Sequence, residues 1–355
     1  MEPRKLQKTS GSTLTLSLPR EWIVKGGLRA GDTVFAESRE DGALILHSRI
    51  GPTPKGRQIL LKATGGEPSP HLLRRLLAAH VAGYSIIRVQ FPPAEATAVR
   101  RTAREFTRMT IGTEILEEER GTLVLEDLSN LAELTTEKCL RRMHLTVRAM
   151  HEAASEALTR GDKAAGEEVA LRDGEVDRLQ WMVAKHYSLA HRSLGGAGWP
   201  AAGMHHALLA ARALERMADH AARIALLAGK VDDLTEPQRE SLRQGTVRVV
   251  EVLDAAVAAL FSGDVRAANH TIDTAIGVVA SVDALRRRPS SHRGGLGETL
   301  ALAVESLSRT AAYAADLAEI AINQAIEREA PPTPPAPVAR TAAREAPRGR
   351  GHDAR

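Results

Sequence analysis

Residues Leu214–Ile224 read LERMADHAARI, and this stretch governs the C-terminal half of the chain. Ala207, Ala210, Leu214, Met217, Ala221, Ile224 and Ala228 recur at three- and four-residue steps, which makes them one apolar stripe of a helix. One residue further round, Glu215 and Asp219 stand four apart, one turn above the other on a single face. A carboxylate pair beside a packing seam needs a partner, because an unpaired buried charge costs several kcal/mol. A second pair, Asp173 and Asp177, has the same spacing, and Asp173 lies on its helix's apolar stripe between Val169 and Val176. Two such pairs on neighbouring helices are the walls expected of a metal site. The alternative for the four acids is ion pairing with Arg172, Arg212, Arg216 or Arg223.

Working outward, the pattern from Thr136 onward predicts six helices. The first, about Thr136–Thr159, places Leu140, Met143, Val147, Met150, Ala154 and Ala157 at seam spacing. Gly161-Asp162 ends it and caps the next, which runs to about His191. A loop at Gly195–Gly203 leads into the LERMADHAARI helix, and Thr235 with Glu236-Pro237 starts a fourth. Gly263-Asp264 closes that helix in the manner of Gly161-Asp162, 102 positions later. A loop around Pro289–Gly297 precedes the last helix, in which LSRTAAYAADLA (Leu307–Ala318) repeats LERMADHAARIA at an offset of 93. Matched landmarks in the same order indicate two three-helix units. Across the repeat Glu215 becomes Ser308, Asp219 becomes Ala312 and His220 becomes Tyr313, and the second half keeps at most Asp273. One metal cluster or none is therefore expected. His220 points about 100° away from Asp219 around the helix, so it is expected either to support the ligands from behind or to be structural. His144 and His151, seven apart, are expected to pack at a seam.

LERMADHAARI resembles the ERIGDHA-type signature of PhoU proteins, the regulators of phosphate uptake. The resemblance covers about Leu134 to Glu329, with Arg172-Asp173-Gly174-Glu175-Val176-Asp177 as its second motif. It implies a PhoU-like body that binds iron or zinc through (E/D)xxxD motifs. The carry-over gives Asp173, Asp177, Glu215 and Asp219 as metal ligands in the first repeat. Oxygen ligands alone favour iron, manganese or magnesium over zinc, whose structural sites prefer Cys and His. The resemblance also implies a phosphate ABC transporter or a phosphate-signalling protein as partner.

At the other end, Arg4–Lys8 and Thr13–Leu18 alternate as two short strands around a Ser10-Gly11-Ser12 turn. A short helix, Pro19–Lys25, begins with proline where its missing N–H does no harm, and Gly26-Gly27 end it. Two more strands, Thr33–Ser38 and Ala43–Ser48, join at Asp41-Gly42. So small a unit cannot bury a core alone and needs a partner chain. RKLQKTSGSTLTLSLPREW…GLRAGD resembles the SpoVT/AbrB family over about Arg4–Arg49, whose swapped-hairpin dimers bind DNA. That resemblance implies a homodimer, with Arg4, Lys5, Lys8 and Arg20 as phosphate and groove contacts and Lys25 peripheral. Ser12 stands where such DNA binders usually carry arginine. The alternative is a head that only dimerises.

Between the two, Gly51–Gly56 reads as a linker. A strand (Gln58–Lys62), helix (Pro70–Ala82), strand (Ser85–Phe91), helix (Ala94–Met109) and short strands at Glu114–Leu116 and Thr122–Leu125 follow, a compact α+β module. Its arginines 74, 75, 100, 101, 104 and 108 are expected on the wet faces of amphipathic helices. The segment resembles the spacer between AbrB and PhoU portions of archaeal phosphate-uptake regulators. The expected fold is thus mainly α: a swapped-hairpin β head over 1–50, an α+β spacer over 51–130, a six-helix body over 131–329 in repeats of about 134–230 and 235–329, and a disordered Pro/Ala/Arg-rich tail over 330–355.

The chain has 355 residues and a formal charge of +4, of which the tail's five arginines against Glu345 and Asp353 supply most. Net charge therefore does not announce a nucleic-acid binder, and any DNA contact must come from a local patch. One cysteine, Cys139, excludes an intramolecular disulfide and fits a cytoplasmic protein. No signal segment or spanning apolar run is visible, so membrane insertion is not expected. Neither acid pair has a histidine three on, and no Walker-type lysine loop or Ser–His constellation appears, so no enzyme is expected. The two functions in contention are a DNA-binding transcriptional regulator that couples phosphate status to negative control of uptake, and a transporter adaptor whose head only dimerises.

Overall fold

The computed structural model describes residues 3–9, 13–38, 44–48, 57–66, 68–131, 133–192, 201–230, 234–287 and 296–329. The expected turns at Ser10-Gly11-Ser12 and Asp41-Gly42 lie outside them. So do the Gly51–Gly56 linker, most of the loops near 195–200 and 289–295, and the tail. The chain is mainly α, and its described residues fall into two units, within 1–52 and within 53–330.

The first unit pairs β1 (Gln7–Lys8) with β2 (Leu14–Thr15) as antiparallel strands. Helix α1 (Arg20–Gly26) follows, with Pro19 at its N-cap rather than its first position, and Gly27 closes it with φ 63. Strands β3 (Phe35–Ser38) and β4 (Leu44–His47) form a second antiparallel pair. β1 and β2 are shorter than alternation suggests, because short two-stranded ribbons fray without a face to pack on. None of the described residues between 3 and 48 is buried, and Leu6, Leu14, Val24 and Leu44 are more than half exposed.

The second unit begins with β5 (Gln58–Lys62), α2 (Ser69–Val81), β6 (Ile86–Gln90), α3 (Ala96–Met109, after one 3₁₀ turn), β7 (Thr113–Glu119) and β8 (Thr122–Asp127). The sheet order is β5-β6-β8-β7, with β5 parallel to β6 and β8 antiparallel to both its neighbours. Leu72, Leu76 and Phe106 from the helices meet Leu61, Val89, Leu123 and Leu125 from the strands in one core. Helix α2 starts at Ser69, one residue before the expected Pro70, with Pro68 as its N-cap. β7 runs on to Glu119 through an irregularity between Ile115 and Glu117, which lets its glutamates stay exposed at the sheet edge. The wet-face expectation for the arginines holds for Arg74, Arg101, Arg104 and Arg108. Arg75 instead donates to the Lys62 carbonyl at 3.0 Å, and Arg100 pairs with Glu118.

The bundle follows as α4 (Thr136–Arg160), α5 (Lys163–Leu171), α6 (Asp173–Arg192), α7 (Ala201–Leu226), α8 (Glu236–Ser262), α9 (Val265–Asp283) and α10 (Leu296–Glu329). The second of the six expected helices is thus broken at Arg172. The repeat is explicit at its caps. Gly161 and Gly263 close α4 and α8 with φ 70 and 69, and the next residues, Asp162 and Asp264, accept from the first N–H groups of α5 and α9. α7 and α10 form the central seam through residues of minimal volume: Ala210, Ala211, Ala218, Ala221, Ala311, Ala314 and Ala318 are all fully buried. The predicted α4 seam is buried throughout, from Leu140 to Ala157.

Gly166 shows how tightly α5 rests on α7. A Cβ there would stand 2.3 Å from the Ala225 carbonyl oxygen, a backbone atom that cannot swing aside. Gly166→Ala is expected to lower stability by about 2 kcal/mol despite alanine's better helix propensity, read as a fall in the urea midpoint at unchanged slope. A stabilised variant would mean that α5 is free to lift from α7.

Candidate functional site: a four-carboxylate seam

Helix α6 starts afresh at Asp173, and α7 runs alongside it. Val176 on α6 and Leu214, Met217 and Ala218 on α7 are buried in the core between them. The positions one step round from this stripe, Asp173 and Asp177 on α6 and Glu215 and Asp219 on α7, are all half-buried. The four predicted acids therefore come together on two adjacent helices. Burial raises Asp173 to about 7, helped by the charges of Asp177, Asp219 and Glu215. Asp177 is raised by burial and by Asp219. Glu215 is raised by burial, Asp219 and Asp177, against the opposing pull of Arg216 and Arg212.

Ion pairing does not account for the cluster. Glu215 lies 3.7 Å from Arg216, while the other three acids have no salt bridge among the described residues. Among the described residues, Arg172 and Arg223 bridge none of them. Asp173 Oδ1 is buried with no hydrogen-bond partner. Three raised carboxylates beside that of Asp219, one of the three with an orphaned oxygen, are a donor set suited to a hard cation. As the side chains stand, no three His, Cys, Asp or Glu among the described residues converge to hold a metal ion.

Among its described residues the second repeat lacks this arrangement. Asp273 is exposed on α9 and is not the retained acid. The residue facing Ser308, the counterpart of Glu215, is Asp283, whose Oδ1 accepts from Ser308 Oγ at 2.8 Å. A hydroxyl that donates replaces a carboxylate that repels. The pseudo-two-fold relation is visible in the centre, where His220 and Tyr313, 93 apart, bring their ring centroids to 5.9 Å. His151 serves both repeats at once. Its Nε2 stands 3.0 Å from the Met217 carbonyl and 3.3 Å from Thr310 Oγ1, again positions 93 apart. Burial holds the His151 imidazole at about 4, and it is neutral. His220 is buried with its pKa lowered, chiefly by burial. His144, placed at a seam as expected, also meets Asp254 at 2.7 Å across α4 and α8.

A groove of about 590 Å³ opens between α4 and α8, but the guanidinium groups on its walls are paired. Arg148 bonds Glu152 and Asp254, Arg160 bonds Glu156, and Arg243 bonds Glu236 and Glu240. In the first unit Arg4, Lys5, Lys8 and Arg20 are all exposed, as is Lys25, with Lys8 in β1 and Arg20 opening α1. Ser12 lies outside the described residues.

Sequence reading missed a second polar site. Lys185 of α6 is buried, and its ammonium pairs with the Asp127 carboxylate at the end of β8. It also donates to Ser129 Oγ at 3.3 Å. Burial lowers Lys185 to about 8. The available signal was Trp181, Lys185 and Leu189 at four-residue steps, a second stripe on α6.

Residues 140–228 match the family model described as PhoU domain, and residues 7–58 match that of the bacterial antitoxin MazE. No curated protein matches the chain. Among solved structures, PhoU from Pseudomonas aeruginosa is similar at 18% identity over 53% of this chain and 94% of that one, with a TM-score of 0.46. The phosphate transport system regulatory protein PhoU from Streptococcus pneumoniae is similar at 20% identity over 54% and 95%, with a TM-score of 0.48.

The raised Asp173 makes stability depend on pH. The folded protein binds this proton more tightly than the unfolded chain, so the stabilisation is fully present below about pH 3.8 and is lost as pH rises through about 7. Asp173→Asn is neutral throughout. It should resemble wild type near pH 4 and exceed it at pH 8 by about 1–2 kcal/mol, a figure discounted for the half-exposed carboxyl. Urea denaturation at the two pH values measures this, and a variant no more stable than wild type at pH 8 would refute mutual repulsion in the seam.

Proposed function

We propose that this chain, which carries a PhoU domain over residues 140–228 behind a MazE-like segment over 7–58, is a phosphate-status regulator that binds DNA as a homodimer. The observation that carries the reading is the presence of both matches on one polypeptide. The first unit supports it physically. With no buried residue among those described and with leucines exposed on its ribbons, it has the surface of half a domain completed by a second copy. Arg4, Lys5, Lys8 and Arg20 then supply the phosphate contacts.

In the body, Asp173, Asp177, Glu215 and Asp219 hold one hard cation, with magnesium, manganese or iron favoured over zinc by the all-oxygen donors. Bound there, the cation supplies positive charge between two helices that otherwise repel. By likeness to PhoU domains, the body restrains phosphate uptake through a phosphate transporter or signalling partner. It acts from the cytoplasm, without enzymatic turnover. Communication between body and head requires that the partner or cation bind two states of the chain with different affinity.

Two measurements test the reading. DNA affinity of the purified chain should fall steeply with salt, and an Arg4/Lys5/Lys8→Ala variant should flatten that slope by about 3 per protomer. Intact dimers without DNA affinity at low salt would leave an adaptor whose head only pairs chains. Equilibrium dialysis against Mn²⁺ should give saturable binding of one ion per chain that Asp173→Asn with Asp177→Asn removes, and an unchanged uptake by that variant would dismiss the seam as a cation site.

A further inference from the structure

Helix α6 belongs to two cores at once. Val176, Met182 and Val183 are buried in the bundle. Trp181 packs instead against the core of the α+β module. One turn on, Lys185 pairs with Asp127 of β8. One turn beyond that, Leu189 fills the space above the turn after α2, where a Cβ on Gly83 would stand 2.5 Å from Leu189 Cδ2. Trp181, Lys185 and Leu189 form one face, and α2 and α3 both pack on α6. This is a specific contact. A buried ammonium and carboxylate tolerate burial only while they face each other, so sliding α6 past β8 by one residue would strand two charges.

The first turns of the same helix carry Asp173 and Asp177, both half-buried, Asp173 with an unpartnered buried oxygen, and α6 packs on α7, which carries the half-buried Glu215 and Asp219. The break at Arg172 separates α6 from α5, so those turns are not locked by a continuous helix on their N-terminal side. A stiff helix of 20 residues thus has a repulsive seam at one end and the module on the face of its remainder.

We propose that the charge of the four-carboxylate seam sets how firmly the α+β module is held, with α6 as the connecting beam. With all four acids charged, repulsion lifts the start of α6 from α7 and loosens the 181–189 face against β8 and the α2 turn. Neutralising the seam seats α6 on α7 and tightens that face. The inference rests on the proposed cation site only for its physiological input, because substitution neutralises the seam equally well.

Hydrogen exchange by mass spectrometry on the full chain provides the test. Asp173→Asn with Asp177→Asn should slow exchange in β8 (Thr122–Asp127) and in residues 80–85 by about threefold or more, with α8 and α9 unchanged. Slowing confined to α6 and α7, with β8 unaffected, overturns the proposal. Mn²⁺ added to wild type should reproduce the variant's pattern. A variant effect without any Mn²⁺ effect upholds the coupling and removes the cation reading. Because coupling is reciprocal, loosening the module should raise exchange in the first turns of α6 and lower Mn²⁺ affinity severalfold where Mn²⁺ binds. Lys185→Met is the strong form of that change, and Leu189→Ala is the milder form that avoids an unpaired buried Asp127. Leu189→Ala protein with faster β8 exchange but unaltered exchange in the first turns of α6 would equally overturn the proposal.

Discussion

The bundle depends on how closely α7 and α10 can approach. Alanines buried to the last atom recur on both helices, beside Leu214, Met217, Leu307 and Leu317, which are buried as well. Small side chains gain little from transfer out of water individually, so the seam relies on dispersion between many well-fitted atoms and on the backbone proximity they permit. That proximity lets His151 on α4 reach the Met217 carbonyl and the Thr310 hydroxyl together. A leucine at Ala218 or Ala311 would spread the helices and orphan the imidazole. The same closeness presses α5 onto α7 at Gly166.

Symmetry in the backbone has not preserved symmetry in charge. Gly161-Asp162 and Gly263-Asp264 cap their helices in the same way, and His220 faces Tyr313 across the central axis. At Glu215 and Ser308 the repeats diverge. One half keeps mutually repelling carboxylates, whereas the other satisfies Asp283 with a hydroxyl and needs nothing further. Repulsion maintained between two packed helices destabilises the fold unless something bound there offsets it. The second repeat shows that the architecture does not require it.

The helical half was largely legible because seam spacing, Gly-Asp caps and the repeat all point the same way. The pairing of Asp173 and Asp177 with Glu215 and Asp219 followed from two four-residue spacings beside apolar stripes. The break at Arg172 was not legible, since Leu171-Arg172-Asp173 contains no proline and periodicity continues through it. The start of α2 was read one residue late, because Pro70 suits a first helical position, whereas the extended N-cap is Pro68, with φ −60 and ψ 134. Asp283 went unread because it has no second acid four residues away, so no pair spacing marks it. Lys185 was passed over because a lysine at helical spacing ordinarily marks a solvated face. Only the partner strand, more than fifty residues earlier, reveals it as buried.

Lys185 and Asp173 illustrate two ways of placing charge inside a fold. The ammonium meets a carboxylate fixed by a β-strand, so each relieves the desolvation of the other and the pair defines a single register. Asp173 and Asp177 at the start of α6 form no salt bridge among the described residues, so their energy depends on what the solution provides. A helix clamped at one site and conditionally repelled at another cannot respond uniformly along its length. The clamp holds the register while the seam alters the pressure behind it. Placing the clamp on the module and the seam on the bundle makes α6 the element through which the two share strain.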